Sequence, residues 1–273
     1  MSNSRMLSLQ IKDIRRYPVK GFRGQKLSSC EVIPSKGIKG DRAYAILKHD
    51  EMKLDHKGHA RKLNFLNGVQ EENLPRFYID QDNQLFLDDK CLSHHDKSIN
   101  LDDDEVMTML TNALPDIRTL SAKEEHIPLR VEKGFFADQK NLCISVQNCT
   151  TLKAFRLFVE QKTGADIASL ETLDHWRGNL LVDMKAVGAE TLLKAGDKVE
   201  VSGVLCEVIM PIERCNQVNK SVEEGKKLEQ DIFGLLKDFA KQHALAYPNE
   251  NAYMGIFLTP LEEGIIRLSS EET

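Results

Sequence analysis

Short runs of alternating apolar and polar residues, each cut off by a turn, most constrain what this chain can fold into. Leu7, Leu9 and Ile11 alternate with polar residues until Pro18 stops the run. That period of two marks a half-buried strand. Val32 and Ile33 end a second run before the Gly- and Pro-rich turn at 34–41. Residues 42–47 form a third run, and 76–87 read as a hairpin around Gln81, Asp82 and Asn83. Successive short strands of this kind predict a barrel or a sandwich, not a βαβ sheet.

The rest of the chain mixes strand and helix signals. Asp102, Asp103, Asp104 and Glu105 precede the apolar run 106–114. Acids there offset the positive end of a helix, so they read as a helix start rather than a metal site. The stretch 121–134 reads as a connector, which places a boundary near 115–135. Thr150 and Thr151 are placed to cap a helix whose apolar face is Leu152, Phe155, Phe158 and Val159, closed by Gly164. A strand is expected at 179–183 and a hairpin about Ser202 and Gly203. A second amphipathic helix carries Ile232, Leu235, Leu236 and Phe239. Strands at 252–260 and 264–270 follow it.

Composition narrows the function classes. The 273 residues suit one large domain or two modest ones, at about 150 residues each. With 37 Lys+Arg against 42 Asp+Glu, the formal charge is −5. That gives no basic footprint for nucleic acid, although a local basic pocket remains compatible with it. The 41% hydrophobic and 29% charged fractions are those of an ordinary globular chain rather than a disordered one. No run approaches the ~18 apolar residues of a membrane span. The first residues lack a signal-peptide core, so a cytoplasmic protein is expected, with neither nucleic acid nor membrane as partner. Six scattered cysteines form no C-x-x-C pair, and disulfides are not expected. Each alone reads as a small buried hydrophobe.

Several familiar chemistries leave no trace. The chain has no phosphate loop, dinucleotide fingerprint, H-E-x-x-H helix or G-x-S-x-G elbow. His56 and His59, and the adjacent His94 and His95, lack convergent partners and read as solvated loops rather than zinc ligands.

Three separated segments carry a stronger signal. They are Y-P-V-K-G at 17–21 with G-I-K-G-D-R-A-Y-A-I-L at 37–47, H-W-R-G-N-L-L-V-D at 175–183, and P-I-E-R-C-N-Q-V-N-K-S-V-E-E-G at 211–225. Each sets a cation beside Gly, Pro or Asn at a strand end. Lys20, Arg42, Arg177 and Arg214 would form an anion site if those ends meet, since Arg forks suit phosphate and Gly admits a close backbone. Taken singly, each cation reads as a surface charge or the anchor of a turn carboxylate such as Asp41.

Read together, the segments resemble the family of molybdenum cofactor sulfurase C-terminal (MOSC) domain proteins with their N-terminal β-barrel domain. The order Y-P-V-K-G, G-D-R-Y-L, F-A-D, R-N-L-V-D, R-C and a terminal G-F-G-I carries the likeness, from about Leu7 to Leu268. It implies a mixed α+β, strand-rich fold. An N-terminal barrel-like domain at 1–115 would precede a MOSC β-barrel domain at 116–273 with peripheral helices. The relatives implied are the amidoxime-reducing components, which reduce N-hydroxylated compounds with a molybdopterin. On that resemblance Lys20, Gly21 and Arg42 match the segment that holds the cofactor phosphate. Arg177 and Asn179 match the segment lining the pterin, and Cys215 after Arg214 matches the molybdenum ligand. A thiolate is a sensible ligand for such a metal, and a neighbouring cation favours the thiolate.

The chain departs from the family pattern in places. Gly21 stands where Ser is common, Gly178 where the usual R-P-N has Pro, and Glu213 where a small polar residue is common. Residues 217–225 replace a Thr-rich run, and Phe257 stands near a family Tyr. The leading expectation is a molybdenum-cofactor oxidoreductase acting on a small molecule with electrons from separate proteins. A cysteine-persulfide sulfur carrier comes second, and a non-catalytic anion-binding protein third.

Overall fold

The structure is a computed structural model that describes residues 7–48, 65–66, 74–80, 82, 84–88, 90–92, 104–115, 117, 130–133, 143–222, 225–245 and 251–269. Asp102, Asp103, His56, His59, His94, His95, the F-A-D segment and most of the expected connector lie outside them.

The strands are β1 (Leu7–Arg16), β2 (Gln25–Lys26), β3 (Ser29–Ile33), β4 (Gly37–Ile38), β5 (Tyr44–Leu47), β6 (Phe77–Ile79), β7 (Leu85–Leu87), β8 (Lys90–Cys91), β9 (Arg130–Lys133), β10 (Ile144–Asn148), β11 (Leu180–Asp183), β12 (Lys198–Val201), β13 (Val204–Glu213), β14 (Tyr253–Pro260) and β15 (Gly264–Arg267). The helices are α1 (Asp104–Asn112), α2 (Cys149–Thr163), α3 (Leu173–Trp176) and α4 (Ile232–Gln242). The protein is thus a mixed α and β fold rich in strands.

The main sheet runs β11-β10-β14-β13-β12-β1-β2, and β1 also pairs with β11. Following the ladders from β1 through β12, β13, β14, β10 and β11 leads back to β1. Each of these six strands therefore pairs with two others. β1 bridges the two ends by changing partner along its length. Leu7 to Leu9 lie parallel to β12, and Gln10 to Ile14 lie antiparallel to β11 with a bulge between Ile11 and Asp13. The expected hairpin at Ser202 and Gly203 joins β12 to β13; both residues take positive φ, 51° and 82°, as its tight turn requires.

The expected division into 1–115 and 116–273 is crossed by these ladders. β1 pairs only with strands of the second half and with β2, and β3 pairs with β15. The apolar alternation of β1 explains why: Leu9, Ile11 and Ile14 bury against Val146, Leu180 and Val182 inside the main sheet. A separate cluster draws mostly on the first half, where Val19, Phe22, Tyr44, Phe77, Val106 and Leu110 pack together, and takes in Ile117 and Val131 from beyond the expected boundary.

The helices cover a third cluster. Phe155 of α2 meets Trp176 edge-on at 5.8 Å between ring centroids and Phe239 of α4 at 5.3 Å. The cap of α2 differs from expectation. Asn148, not a threonine, takes the extended N-cap position and accepts from the Thr150 N–H at 3.2 Å. Thr150 and Thr151 fall inside the first turn. Gly164 closes the helix in the left-handed conformation as expected. Among the described residues no helix is long and apolar enough to cross a membrane.

Because Phe155 is fully buried at the centre of three aromatic rings, Phe155→Ala is expected to destabilise the protein by about 3–5 kcal/mol. Urea unfolding reads this directly. An unchanged midpoint would mean that the helices do not pack on the sheet as described.

Candidate functional site

The site grows from the turn that follows β1. Tyr17 N–H donates to Asp41 Oδ1 at 2.7 Å, and Arg42 N–H donates to the Tyr17 carbonyl at 2.6 Å. Lys20 N–H and Tyr44 N–H then exchange bonds with Tyr44 and Pro18 carbonyls at 2.8 and 2.9 Å. This short zipper holds Lys20 and Arg42 near one another although 22 residues separate them in sequence. Phe22 N–H closes a turn onto the Val19 carbonyl at 3.2 Å, with Gly21 at φ 95°. A left-handed residue is needed there, so glycine replaces the family's serine without strain.

Tyr17 is fully buried, and two guanidinium groups lie against its ring. Arg177 is 4.7 Å and Arg42 5.1 Å from the ring centroid. The Tyr17 hydroxyl faces the Leu173 and Gly178 carbonyls at 3.1 Å each and Asp174 Oδ1 at 3.4 Å. Burial, and next the Asp174 charge, hold its pKa well above the usual value, so the hydroxyl stays a donor. Arg177 itself is left-handed, at φ 50°, and ends α3. Its Nη1 donates to the Phe22 carbonyl at 2.9 Å, while Arg42 Nη2 donates to the Arg177 carbonyl at 3.1 Å and Arg42 Nη1 pairs with Asp41. Lys20 Nζ lies 5.7 Å from the centre of the Phe65 ring. Three expected cations are thus gathered on one framework, and Arg42 does anchor the turn carboxylate as well.

Two expected ligand residues have a different occupation. Asn179 is 1% exposed. Its Oδ1 accepts from the Ser145 N–H at 3.1 Å and hydroxyl at 2.7 Å, and its Nδ2 donates to the Arg15 carbonyl at 3.1 Å. It therefore fastens β1, β10 and the approach to β11 together. Arg214 donates through Nε and Nη2 to the Met254 carbonyl and through Nη1 to the Trp176 carbonyl at 2.7 Å, with its guanidinium 5.5 Å from the Trp176 ring. It ties the end of β13 to β14 and to α3. Both side chains bind backbone, because strand ends leave carbonyls there that need donors.

Cys215 follows Arg214 and is exposed. It opens the 3-10 turn Asn216–Asn219, whose Asn219 side chain accepts from the Phe233 N–H at 2.8 Å and donates to Asp231 at 3.0 Å. The start of α4 thereby holds the turn in place. Cys30 and Cys206 are buried hydrophobes, and burial pushes both thiols, and that of Cys143, up to about 12. Glu213 accepts from Asn251 Nδ2 at 2.8 Å.

Gly178 explains another departure. A Cβ there would land on Gln147 Oε1, and Gln147 is fully buried on β10. Neither end of its amide has a hydrogen-bond partner among the described residues. The large Gln147 side chain fills the space that a proline ring or a Cβ would need.

The segments meet at a cleft lined by Arg23, Asp174, His175, Arg177, Gln217 and Lys220, with Pro75, Ser221 and Val222. Arg23 Nε, His175 Nε2 and Gln217 Oε1 are buried there without a hydrogen-bond partner among the described residues. Of the expected site residues Arg177 lines this cleft, whereas Lys20, Gly21, Arg42, Asn179, Arg214 and Cys215 are not among its lining residues. Among the described residues no group of three or more His, Cys, Asp and Glu converges, whereas a metal carried by its own organic sulfurs needs only one protein ligand. Arg23 satisfies the criterion of a cation beside glycine, through Gly24, yet that reading passed over it. Tyr17 was visible only as part of its motif. Gln217 carries no sequence signal of its own.

No protein-family model and no curated protein matches the chain. Among solved structures the chain is similar to the crystal structure of the YuaD protein from Bacillus subtilis, at 12% identity and a TM-score of 0.39, over 95% of this chain and 91% of that one.

Two expectations follow. Gly178→Ala should cost about 1–3 kcal/mol in wild type and much less in a Gln147→Ala background, a coupling that urea unfolding of the four proteins measures. Equal costs would show that Gln147 does not occupy that space. His175 is held at a pKa of about 4 by burial first, against an opposing hydrogen bond with the Val218 backbone, with the Arg214 charge a smaller lowering effect. Its usual value is 6.5, so the unfolded chain binds the proton more tightly. Stability should therefore fall as pH drops from about 6.5 towards 4, and His175→Gln should flatten that slope. An identical slope in the variant contradicts a neutral buried imidazole.

Proposed function

We propose that this chain binds a molybdopterin-type cofactor and reduces a small N-hydroxylated molecule, with electrons delivered by separate proteins. The observation that carries this reading is the placement of Arg42 and Arg177 against the Tyr17 ring, with Lys20 on the backbone zipper that also carries Arg42, and with Arg177 on the wall of the cleft that Gln217 and Lys220 line. The ring of strand pairings supports taking the main sheet as the barrel of the MOSC fold. When bound, the cofactor's molybdenum supplies the redox change and an open coordination position.

The chain's own residues have separable tasks in this reading. Arg42 and Arg177 orient the cofactor phosphate through forked hydrogen bonds, and Lys20 adds a point charge. Cys215 gives one thiolate to the metal from a turn tethered to α4. Asn179 and Arg214 act at one remove, by fixing the strand ends that carry Arg177 and Cys215. This differs from the role that the resemblance implies for them.

Elemental analysis tests the proposal. Protein from a cofactor-producing host should retain molybdenum, protein from a host unable to make the cofactor should not, and Cys215→Ser should lose most of the metal. Full molybdenum occupancy in Cys215→Ser overturns the ligand role. A metal-free protein whose Cys215 alone is rapidly alkylated would instead support the sulfur-carrier reading, for which the exposure of Cys215 is the favouring observation.

A further inference from the structure

The cleft has a feature that the cofactor reading does not use. Arg23 sits on its wall, three residues past Lys20. Its backbone N–H donates to the Phe77 carbonyl at 2.9 Å, and its guanidinium stacks 4.6 Å from the centre of the Tyr78 ring. The side chain is thereby held from both ends. Yet its Nε is buried with no acceptor among the described residues. A buried charged donor without an acceptor is costly, so the arrangement is better satisfied with a ligand present than without.

The rest of the wall has matching chemistry. Arg177 and Lys220 add two further cations. Asp174, the one carboxylate among the described lining residues, already accepts from Gly24 N–H at 3.1 Å and pairs with Arg15 at 3.4 Å, so it is partly neutralised from behind. Gln217 Oε1 is a buried acceptor on the same surface, without a hydrogen-bond partner among the described residues, and would face a protonated oxygen of the ligand. His175 Nδ1 is engaged with the Ser169 hydroxyl at 3.3 Å, which orients the ring. Among the described lining residues three cations face one carboxylate, which suits an anion.

We propose that this cleft binds the oxyanion of a small molecule, a phosphate or a carboxylate, on the Nε–H of Arg23 with Lys220 and Arg177 around it. The site shares Arg177 with the cofactor framework but uses Arg23 and Lys220, to which the cofactor reading gives no role. It does not depend on that reading.

The test uses the full chain, uniformly labelled with nitrogen-15 and produced in a host unable to make the cofactor. Inorganic phosphate and, separately, acetate are titrated while the Arg Nε–Hε resonances are followed by NMR. The Arg23 resonance, identified by its loss in Arg23→Gln, should shift saturably with at least one of the two anions. Whichever binds more tightly names the oxyanion source. Arg23→Gln should weaken binding by about tenfold or more, followed at the other shifting resonances, since a charge-assisted hydrogen bond is lost. Lys220→Gln, a change on the cleft wall, should weaken it by a smaller factor. If the Arg23 resonance is unmoved by both anions, or if Arg23→Gln folds normally and titrates like wild type, the proposal is overturned. Either result leaves the molybdenum measurement untouched, so the two ideas fail separately.

Discussion

The placement of Tyr17 is the constraint on which the candidate site depends. One side chain performs three tasks. Its backbone is fixed by Asp41 and Arg42, its hydroxyl secures the left-handed turn at 173–178, and its ring contacts both the Arg42 and the Arg177 guanidinium groups. Two like charges brought this close repel one another. The ring faces offset that by about 0.5–2 kcal/mol per contact, and the carboxylates of Asp41 and Asp174 offset more of it. An aliphatic residue at 17 would fill the volume but leave the turn carbonyls without a donor and the cations without a screen.

The strand ladders decide which segments reach Tyr17. Since β1 pairs with both β11 and β12, its C-terminal end arrives beside the start of β11. Asn179 locks that junction to Arg15 and Ser145, and Arg214 locks the end of β13 to Trp176 and Met254. These two residues are polar and lie at strand ends beside glycine or cysteine, which from sequence is indistinguishable from a ligand position. Their side chains are instead drawn to orphaned carbonyls. Positioning by fasteners of this kind is what lets Arg177 and Cys215 be presented by loops while the framework behind them is rigid.

Much of this was legible in the residues. The alternation in β1, the positive-φ pair Ser202-Gly203 and the 3.6-residue face of α2 all formed as their patterns require, because each pattern is local. The N-cap of α2 was misplaced by two residues because Asn148 is itself the last residue of β10, and a strand end can double as a cap. The ladders cross the division near 115 for a different reason. Nothing in the sequence of β1 says which strands will bury its apolar face, and apart from β2 its partners lie at 180–183 and 199–201. Likewise Gly178 looks like a lost proline until Gln147 is seen beside it, a pairing visible only in three dimensions. Arg23 beside Gly24 meets the cation-and-glycine pattern, but the acceptor that its Nε lacks among the described residues shows only in three dimensions.

The most direct measurement is a crystal structure of protein from a cofactor-producing host, with anomalous diffraction recorded at the molybdenum edge. The account predicts a strong anomalous peak bonded to the sulfur of Cys215, with a phosphate held by Lys20, Arg42 and Arg177. An anomalous map without a peak at Cys215, from crystals of such protein, would contradict it.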